Sequence, residues 1–293
     1  MKWDENDSQT SSDIEDRRGM GGGGGGGGFR FGGGRMGLGG MVILLVLSLV
    51  FKRNFFALVG GGESTVTSQP ASGPARSNSV EEAKLVKFVS FVLDDLQNTW
   101  EKELPKQANV NYPRAKLVLF SGATQSACGM GESAMGPFYC PGDQKVYIDL
   151  SFYQELRQKF GAPGDFAQAY VLAHEVGHHL QNVLGTEKKV RREQRIAKDR
   201  ENELSVRMEL QADCYAGVWG NLTKQRGVLE AGDLEEALRA ANAIGDDTLQ
   251  KQASGRVRPE KFTHGSAAQR MKWFRSGFDS GRLDACDTFK GMP

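Results

Sequence analysis

Hydrophobic residues recur at helical spacing from about residue 80 onward. The first such stretch follows Ser79 and Glu82, which are spaced as a capping box, and its apolar positions fall on one helical face. Those positions are Leu85, Phe88, Val89, Val92, Leu96 and Trp100. The pattern predicts that a folded domain begins at Ser79 with an amphipathic helix.

Further along the chain, short apolar runs predict strands and longer periodic runs predict helices. Strands are expected over residues 116–120 and 146–150. Helices are expected over residues 166–184, 186–225, 233–244 and 266–278. The sequence therefore predicts an α+β domain over residues 79–293 that is mainly helical and contains a small β-sheet.

The residues before this domain have a different composition. Residues 1–35 are polar and rich in glycine, with an unbroken glycine run over residues 21–28, which predicts a disordered tail. Residues 60–78 have the Gly, Ser and Pro content of a linker. Between them, residues 36–59 are predominantly apolar and are predicted to form a transmembrane anchor.

The uncharged part of this anchor, residues 36–51, reaches ~24 Å as a helix, short of a ~30 Å hydrocarbon core. Lys52 and Arg53 could extend toward the interface, so one crossing remains feasible. A buried core helix and a cleaved signal peptide are the alternatives. More basic residues precede the span than follow it, which predicts a cytoplasmic N terminus.

Charge is nearly balanced along the whole chain. Its 37 Lys and Arg residues against 36 Asp and Glu residues give a net charge of +1. Such a balance provides no basic footprint, so nucleic acid is not expected as a partner.

Three of the four histidines lie in one short motif, His174-Glu175-Val-Gly-His178-His179. On a helix, His174 and His178 are ~40° apart around the axis, so both imidazoles can meet one metal ion. Glu175 is rotated ~100° from His174 and can act on a water molecule without ligating the metal. This is the HExxH arrangement of zinc proteases, and His179 is expected to point elsewhere, into packing or hydrogen bonds. A chance match is the alternative, but the surrounding helix is strongly apolar.

A second pair of residues, Glu209 and Asp213, supplies the acidic groups that a catalytic zinc site needs in addition to the two histidines. Tetrahedral zinc needs a third protein ligand and an open position, and Glu209 and Asp213 share one helix face. Glu209 is predicted to be the third ligand, and Asp213 to accept a hydrogen bond from a ligating histidine. The alternative is a solvated acidic face.

The four cysteines permit two disulfides if the domain lies outside the cytoplasm. Cys128 and Cys140 bracket one loop and form the obvious pair, which would leave Cys214 with Cys286. Spacing does not settle the connectivity, and a buried free thiol is the alternative.

Four blocks of the chain together resemble a known family. They are HEVGHH, SVRMELQADCYAGVWG, GPFYCPGDQKVYIDLSFY and FTHGSAAQR. The chain is similar to the neutral zinc metallopeptidases of bacteria, membrane-anchored proteins with a periplasmic gluzincin-like domain. This resemblance implies a zincin-like peptidase domain, a Zn²⁺ cofactor, protein or peptide substrates, and a single-pass inner-membrane location. In gluzincin-like folds, a strand such as residues 146–150 is the sheet edge to which an extended substrate adds. An ordinary core strand is the alternative.

A more distant resemblance links the chain to the integral-membrane gluzincins of the CAAX-protease and heat-shock protease type. Those proteins also pair HExxH with a later ExxxD and carry Thr-His-Pro followed by Arg, matched here by Thr263, His264 and Arg270. Gly265 stands where they have proline. His264 is predicted to be a catalytic donor to the oxyanion, with a surface or capping histidine as the alternative. Arg270 is expected to orient this segment or to form a surface ion pair.

The predicted function is that of a zinc-dependent peptidase, which hydrolyses peptide bonds with a metal-activated water molecule. His174, His178 and Glu209 would hold zinc, and Glu175 would be the general base. The alternative is a noncatalytic, zinc-stabilised binding or scaffold protein of the cell envelope. The presence of Glu175 favours the enzyme, because a structural zinc site does not need a general base.

Overall fold

The computed structural model describes residues 1–4, 10–19 and 80–290. Within these residues, helices predominate and the strands are short, as the sequence predicts. The strands are β1 (Ile14–Asp16), β2 (Lys116–Phe120), β3 (Ala123–Ser126), β4 (Gly129–Glu132), β5 (Phe138–Cys140) and β6 (Lys145–Asp149). The helices are α1 (Val80–Ala108), α2 (Ser151–Gln158), α3 (Asp165–Val183), α4 (Thr186–Ile196), α5 (Glu201–Gln225), α6 (Asp233–Ala243), α7 (Asp246–Ser254) and α8 (Ala267–Ser280).

Four strands form the main sheet in the order β1-β2-β6-β5. β2 is parallel to both β1 and β6, and β5 is antiparallel to β6. β6 therefore lies inside the sheet, and the expectation that residues 146–150 form the substrate edge is wrong. The central position of β6 is consistent with its burial, since Val146 and Ile148 are fully buried. The edge next to β6 is β5, which lies in the segment between β2 and β6 and is too short, at three residues, to show an alternating pattern.

One continuous core joins the sheet to the helices. α3 is buried along most of its length, from Phe166 to Gly177, because it packs against the sheet side, α5 and α6. α5 and α8 approach each other so closely that a Cβ at Gly217 or Gly277 would overlap a backbone carbonyl of the facing helix. These two glycines thus permit the close backbone contact that fixes α8 on α5.

The charged helix predicted over residues 186–225 is divided in two. Gly185 adopts a left-handed conformation before α4, and the backbone leaves helical geometry at Ala197. In α4 only Val190 is buried, whereas α5 is buried through most of its second half. An unbroken helix of this length would extend ~60 Å, which would carry one half away from the core. The break lets α5 return along α3.

The N-terminal residues correct the prediction of a disordered tail over residues 1–35. Ile14 of β1 pairs with Leu117 of β2, and the Asp13 carboxylate lies 2.7 Å from Lys116 Nζ. Met1 is buried, and its amino nitrogen lies 2.8 Å from an oxygen of Asp165. The prediction failed at residues 1–4 and 10–19 because their docking combines polar and charged contacts with isolated apolar residues, Met1, Trp3 and Ile14, which are too few to form a periodic pattern in the sequence.

The other predicted segments of the N-terminal region lie outside the described residues. These are the remainder of the tail to residue 35, the anchor over residues 36–59 and the linker over residues 60–78. Among the helices that the structure describes, none combines the length and the apolar character needed to cross a membrane.

Candidate metal centre

The HExxH motif lies on α3, in a part of the helix that packs closely against α5. Gly177, inside the motif, faces Ala212 of α5, and a Cβ at Gly177 would stand 2.9 Å from the Ala212 carbonyl oxygen. This contact explains why a glycine suits the fourth position of the motif. The close approach brings Glu209, one turn earlier on α5, beside the histidines.

His174, His178 and Glu209 converge as the sequence predicts. The His174 Nε2 atom lies 3.1 Å from Glu209 Oε2, and the His178 Nε2 atom lies 3.5 Å from Glu209 Oε1. One ligand atom from each residue lies within 4.8 Å of the other two. Two imidazole nitrogens and one carboxylate oxygen are a donor set suited to catalytic zinc, which keeps a fourth position open.

His174 and His178 each contact an oxygen atom through Nδ1, the ring nitrogen that faces away from Glu209. His174 Nδ1 lies 2.8 Å from Asp213 Oδ1, and His178 Nδ1 lies 2.8 Å from Gln181 Oε1. Both partners are oxygen acceptors, so each histidine donates from Nδ1 and leaves Nε2 available to a metal. Asp213 therefore lies where the sequence places it. Gln181 was missed, although its position three residues after His178 puts it on the same helix face.

A buried arginine supports Asp213 from behind. Arg270 donates from Nε and Nη2 to the two oxygens of Asp213, at 2.8 and 2.9 Å. The hydroxyl of Tyr170 also donates to Asp213, at 2.5 Å. Burial would raise the pKa of Asp213, but the charge of Arg270 and the contact with His174 lower it to about 2. Arg270 thus forms a buried ion pair, and of the two expectations for it the surface pair is wrong.

Charges near Glu209 keep this carboxylate ionised. Burial would raise the pKa of Glu209, but the imidazoles of His178 and His264 lower it well below the usual range. An ionised carboxylate is the form that ligates zinc.

Glu175 differs from the other carboxylates of the site. It is only 7% exposed, and its carboxylate has no hydrogen-bond partner among the residues that the structure describes. Burial raises its pKa, and the nearby imidazoles of His178 and His174 oppose that shift. A buried carboxylate with a raised pKa and free oxygens is suited to taking up and returning a proton.

His179 points away from this cluster, as its rotation on the helix predicts. Its Nε2 atom donates to the carbonyl oxygen of Pro113 at 2.6 Å, and its Nδ1 atom lies 3.0 Å from the hydroxyl of Tyr139. Burial lowers the pKa of His179. Since Tyr139 belongs to β5, this neutral imidazole ties the sheet edge to the HExxH helix.

His264 lies on the loop before α8 and is not among the three converging ligands. Its side chain is 53% exposed. The loop rests on α5 beside Glu209, since a Cβ at Gly265 would stand 3.2 Å from both Val206 and Leu210. His264 therefore occupies the rim of the cluster.

Comparisons with known proteins agree with this geometry. Residues 1–289 match the family described as "Putative neutral zinc metallopeptidase". The chain therefore belongs to this family, as the resemblance of its motifs indicated, and Zn²⁺ is the cofactor that the family implies.

Two relatives show how far the similarity extends. The chain is 51% identical over 294 residues to "Uncharacterized protein YpfJ" of Escherichia coli K12, covering 99% of each chain. It is 46% identical over 201 residues to "Uncharacterized protein Rv2575" of Mycobacterium tuberculosis H37Rv, covering 65% of this chain and 66% of the relative. No solved structure matches the chain.

Proposed function

We propose that this protein is a zinc-dependent peptidase whose zinc is held by His174, His178 and Glu209. The observation that carries the proposal is the convergence of these three ligand atoms beside Glu175, a buried carboxylate without a hydrogen-bond partner among the described residues. A site that only stabilised the fold would normally be closed by four ligands and would not need such a carboxylate.

The chain's own residues divide the chemistry between them. When bound, zinc supplies Lewis acidity, which polarises the substrate carbonyl and makes water a better nucleophile at neutral pH. Glu175 takes the proton from the attacking water and returns it to the leaving amine. Asp213 and Gln181 hold the two histidines in the tautomer that leaves Nε2 for the metal.

The sheet edge at β5 supports a polypeptide as the substrate. β5 pairs with β6 on one side and has no strand on its other side among the described residues. An extended peptide can add there through backbone hydrogen bonds, largely independently of its side chains. The contact between Tyr139 and His179 holds this edge against α3, next to the metal ligands.

His264 is proposed to donate to the oxyanion that develops when water attacks the carbonyl. Its exposed imidazole on the rim can reach a bound substrate, and donors that strengthen as charge develops commonly lower the barrier. His264→Ala should therefore retain zinc and reduce kcat by ~10²-fold or more, with KM little changed.

The experiment that tests the function compares the full chain with Glu175→Gln and Glu209→Ala. Zinc content is measured by mass spectrometry, and cleavage of an unfolded protein is followed over time. Glu175→Gln should keep about one zinc per chain and lose turnover, whereas Glu209→Ala should lose the metal. Full zinc occupancy in Glu209→Ala would contradict the ligand assignment. Equal, negligible cleavage by the wild type and Glu175→Gln would favour the noncatalytic scaffold.

Natural substrates can be sought by the same comparison in cells. Proteins that accumulate, and new N termini that disappear, when the wild type is replaced by Glu175→Gln are candidates for direct cleavage. Because Glu175→Gln should keep the fold and the metal, differences between the two proteomes would report turnover.

The periplasm is the proposed location of residues 80–290. The structure joins Cys128 to Cys140 and Cys214 to Cys286, and structural disulfides of this kind form in oxidising compartments. Attachment to the membrane through residues 36–59 stays a prediction, and the pairing of Ile14 with Leu117 requires that the segments before and after these residues lie on the same side of the membrane.

A further inference from the structure

The loop that carries His264 is organised around one carboxylate on another element. Asp246, the first residue of α7, accepts hydrogen bonds at Oδ2 from three consecutive backbone N–H groups, those of Thr263, His264 and Gly265. The donor–acceptor distances are 2.8, 2.7 and 3.0 Å. Successive N–H groups that converge in this way form a backbone nest for an anion, and here the anion is a side chain of the same protein.

The second oxygen of Asp246 faces the imidazole. His264 Nδ1 lies 3.3 Å from Asp246 Oδ1 and 3.1 Å from the hydroxyl of Thr263. No described residue contacts His264 Nε2 by a hydrogen bond. Asp246 thus contacts Nδ1 of His264, while Nε2 points away from Asp246 and is available to another group.

Gly265 is required by this arrangement. Its φ of +92° is strained for other residues, and its N–H donates one of the three bonds to Asp246. Proline would remove that donor and would force φ to about −65°. The glycine that stands where the more distant gluzincins have proline therefore belongs to the Asp246 nest.

The neighbouring Asp247 provides an internal comparison. It also binds the same loop, since Asp247 Oδ1 accepts a hydrogen bond of 2.7 Å from the backbone of Ala267. It has no hydrogen bond to His264. Two adjacent aspartates therefore fix the loop, but only Asp246 contacts the imidazole.

We propose that Asp246 is the positioning residue for His264, an inference that rests on the proposed peptidase function for its catalytic consequence. Asp246 fixes the loop through the nest and orients the ring through Nδ1, so that Nε2 is directed toward the substrate. To donate to an oxyanion, the ring must carry a proton on Nε2 while Nδ1–H stays bonded to Asp246, which is the imidazolium form.

The charges around His264 favour that form. Partial desolvation by the surrounding loop lowers the pKa of His264, but the carboxylates of Glu209 and Asp246 raise it above the usual value. Arg270 is the positive group that opposes them.

The orientation can be tested without any substrate. Full-length, zinc-loaded protein labelled with ¹⁵N-histidine gives imidazole signals for only four histidines, and His264→Ala identifies the relevant one. In the wild type, the Nδ1 proton of His264 should be visible and hydrogen-bonded. It should be lost or strongly shifted in Asp246→Asn and unchanged in Asp247→Asn. Wild-type signals of a freely exchanging His264 ring, or signals that Asp246→Asn leaves unchanged, would overturn the proposal.

Kinetics test the catalytic consequence. Asp246→Asn should lower kcat by ~10-fold at constant zinc content and KM, whereas Asp247→Asn should stay within ~2-fold of the wild type. In the His264→Ala background, Asp246→Asn should cause no further loss, because a positioning residue acts through the group that it positions. An equal loss in both backgrounds would show that Asp246 acts otherwise. Inactivity of the wild type together with the expected imidazole signals would refute the peptidase and leave the orientation by Asp246 intact.

Discussion

Arg270 and Asp213 form a two-bond ion pair between α8 and α5, and their side chains are only 3% and 0% exposed. The pair lies directly behind His174, because the same Asp213 oxygen that accepts from Arg270 Nη2 also contacts His174 Nδ1. The position of His174 in the cluster therefore depends on a helix that contributes none of the three converging side chains.

Arg270→Met should destabilise the fold strongly. The change leaves the Asp213 carboxylate buried without its cation, which typically costs about 3–5 kcal/mol of unfolding free energy. Urea unfolding monitored by circular dichroism measures it. The matched control is Arg275→Met on the same helix, since Arg275 forms an exposed pair with Asp279 at 3.8 Å and should change stability by less than about 0.5 kcal/mol. Similar losses in the two variants would contradict the buried-pair interpretation.

Gly277→Ala should separate α8 from α5. The added methyl group would overlap the carbonyl of Cys214 on the facing helix, so the backbones must move apart. We expect the free energy of unfolding to fall by about 3 kcal/mol or more, which exceeds the gain in helix propensity that alanine normally brings. Thermal unfolding provides the measurement, with the exposed Lys272→Ala as the control on α8. A Gly277→Ala variant as stable as that control would show that the helices do not meet this closely.

Asp13→Asn should weaken the docking of β1 in a pH-dependent manner. Burial would raise the pKa of Asp13, but Lys116 and Arg114 lower it below its usual 3.8. A lowered pKa in the folded state contributes stability above pH 3.8, and this contribution is lost as the pH falls through the folded-state pKa. At pH 7 we expect the variant to be about 1–2 kcal/mol less stable than the wild type.

The difference in unfolding free energy between Asp13→Asn and the wild type should therefore be similar at pH 7 and pH 5 and smaller at pH 3. Asp279→Asn, which changes an exposed carboxylate on α8, is the control for general effects of charge. A stability difference between the two proteins that stays constant down to pH 3 would mean that the Asp13 charge does not stabilise the folded state.

The two disulfides should differ in accessibility and in their effect on stability. Cys214 and Cys286 are fully buried, whereas Cys128 is exposed, so mild reductant should open the bridge between Cys128 and Cys140 first. Replacing both cysteines of the Cys214–Cys286 bridge, which closes 72 residues, by serine should lower the free energy of unfolding by about 4.5 kcal/mol. The same change at the Cys128–Cys140 bridge, which closes 12 residues, should lower it by about 3 kcal/mol. Maleimide labelling before and after reduction measures the order of opening. Free thiols in protein purified without reductant would contradict the bridges.

Local spacing was sufficient to predict which side chains converge in the candidate metal centre. His174 with His178 and Glu209 with Asp213 are each four residues apart on a helix, so their common faces follow from helical geometry alone. The helix that carries each pair was also readable from its apolar positions. What spacing left open was that α3 and α5 are neighbours, which depends on the close packing of Gly177 against Ala212.

Features that depend on contacts between distant elements were not predictable in this way. Asp246 and His264 are 18 residues apart and meet through backbone donors, which leave no side-chain pattern. β5 is three residues long and is defined by its pairing with β6. The docking of Asp13 likewise depends on Lys116, more than a hundred residues later.

The pairing of β1 with β2 also constrains how the chain can meet a membrane. A single crossing leaves the two flanks of a chain on opposite faces of the bilayer, and strands on opposite faces cannot share hydrogen bonds. Since Ile14 pairs with Leu117, the N-terminal strand and the metal centre belong to the same side. Arg17 and Arg18 are two of the basic residues before the predicted span, and both form ion pairs with acidic residues of the folded protein. These arginines therefore stabilise the folded protein as cations of ion pairs, and their charges are no independent signal for a cytoplasmic N terminus.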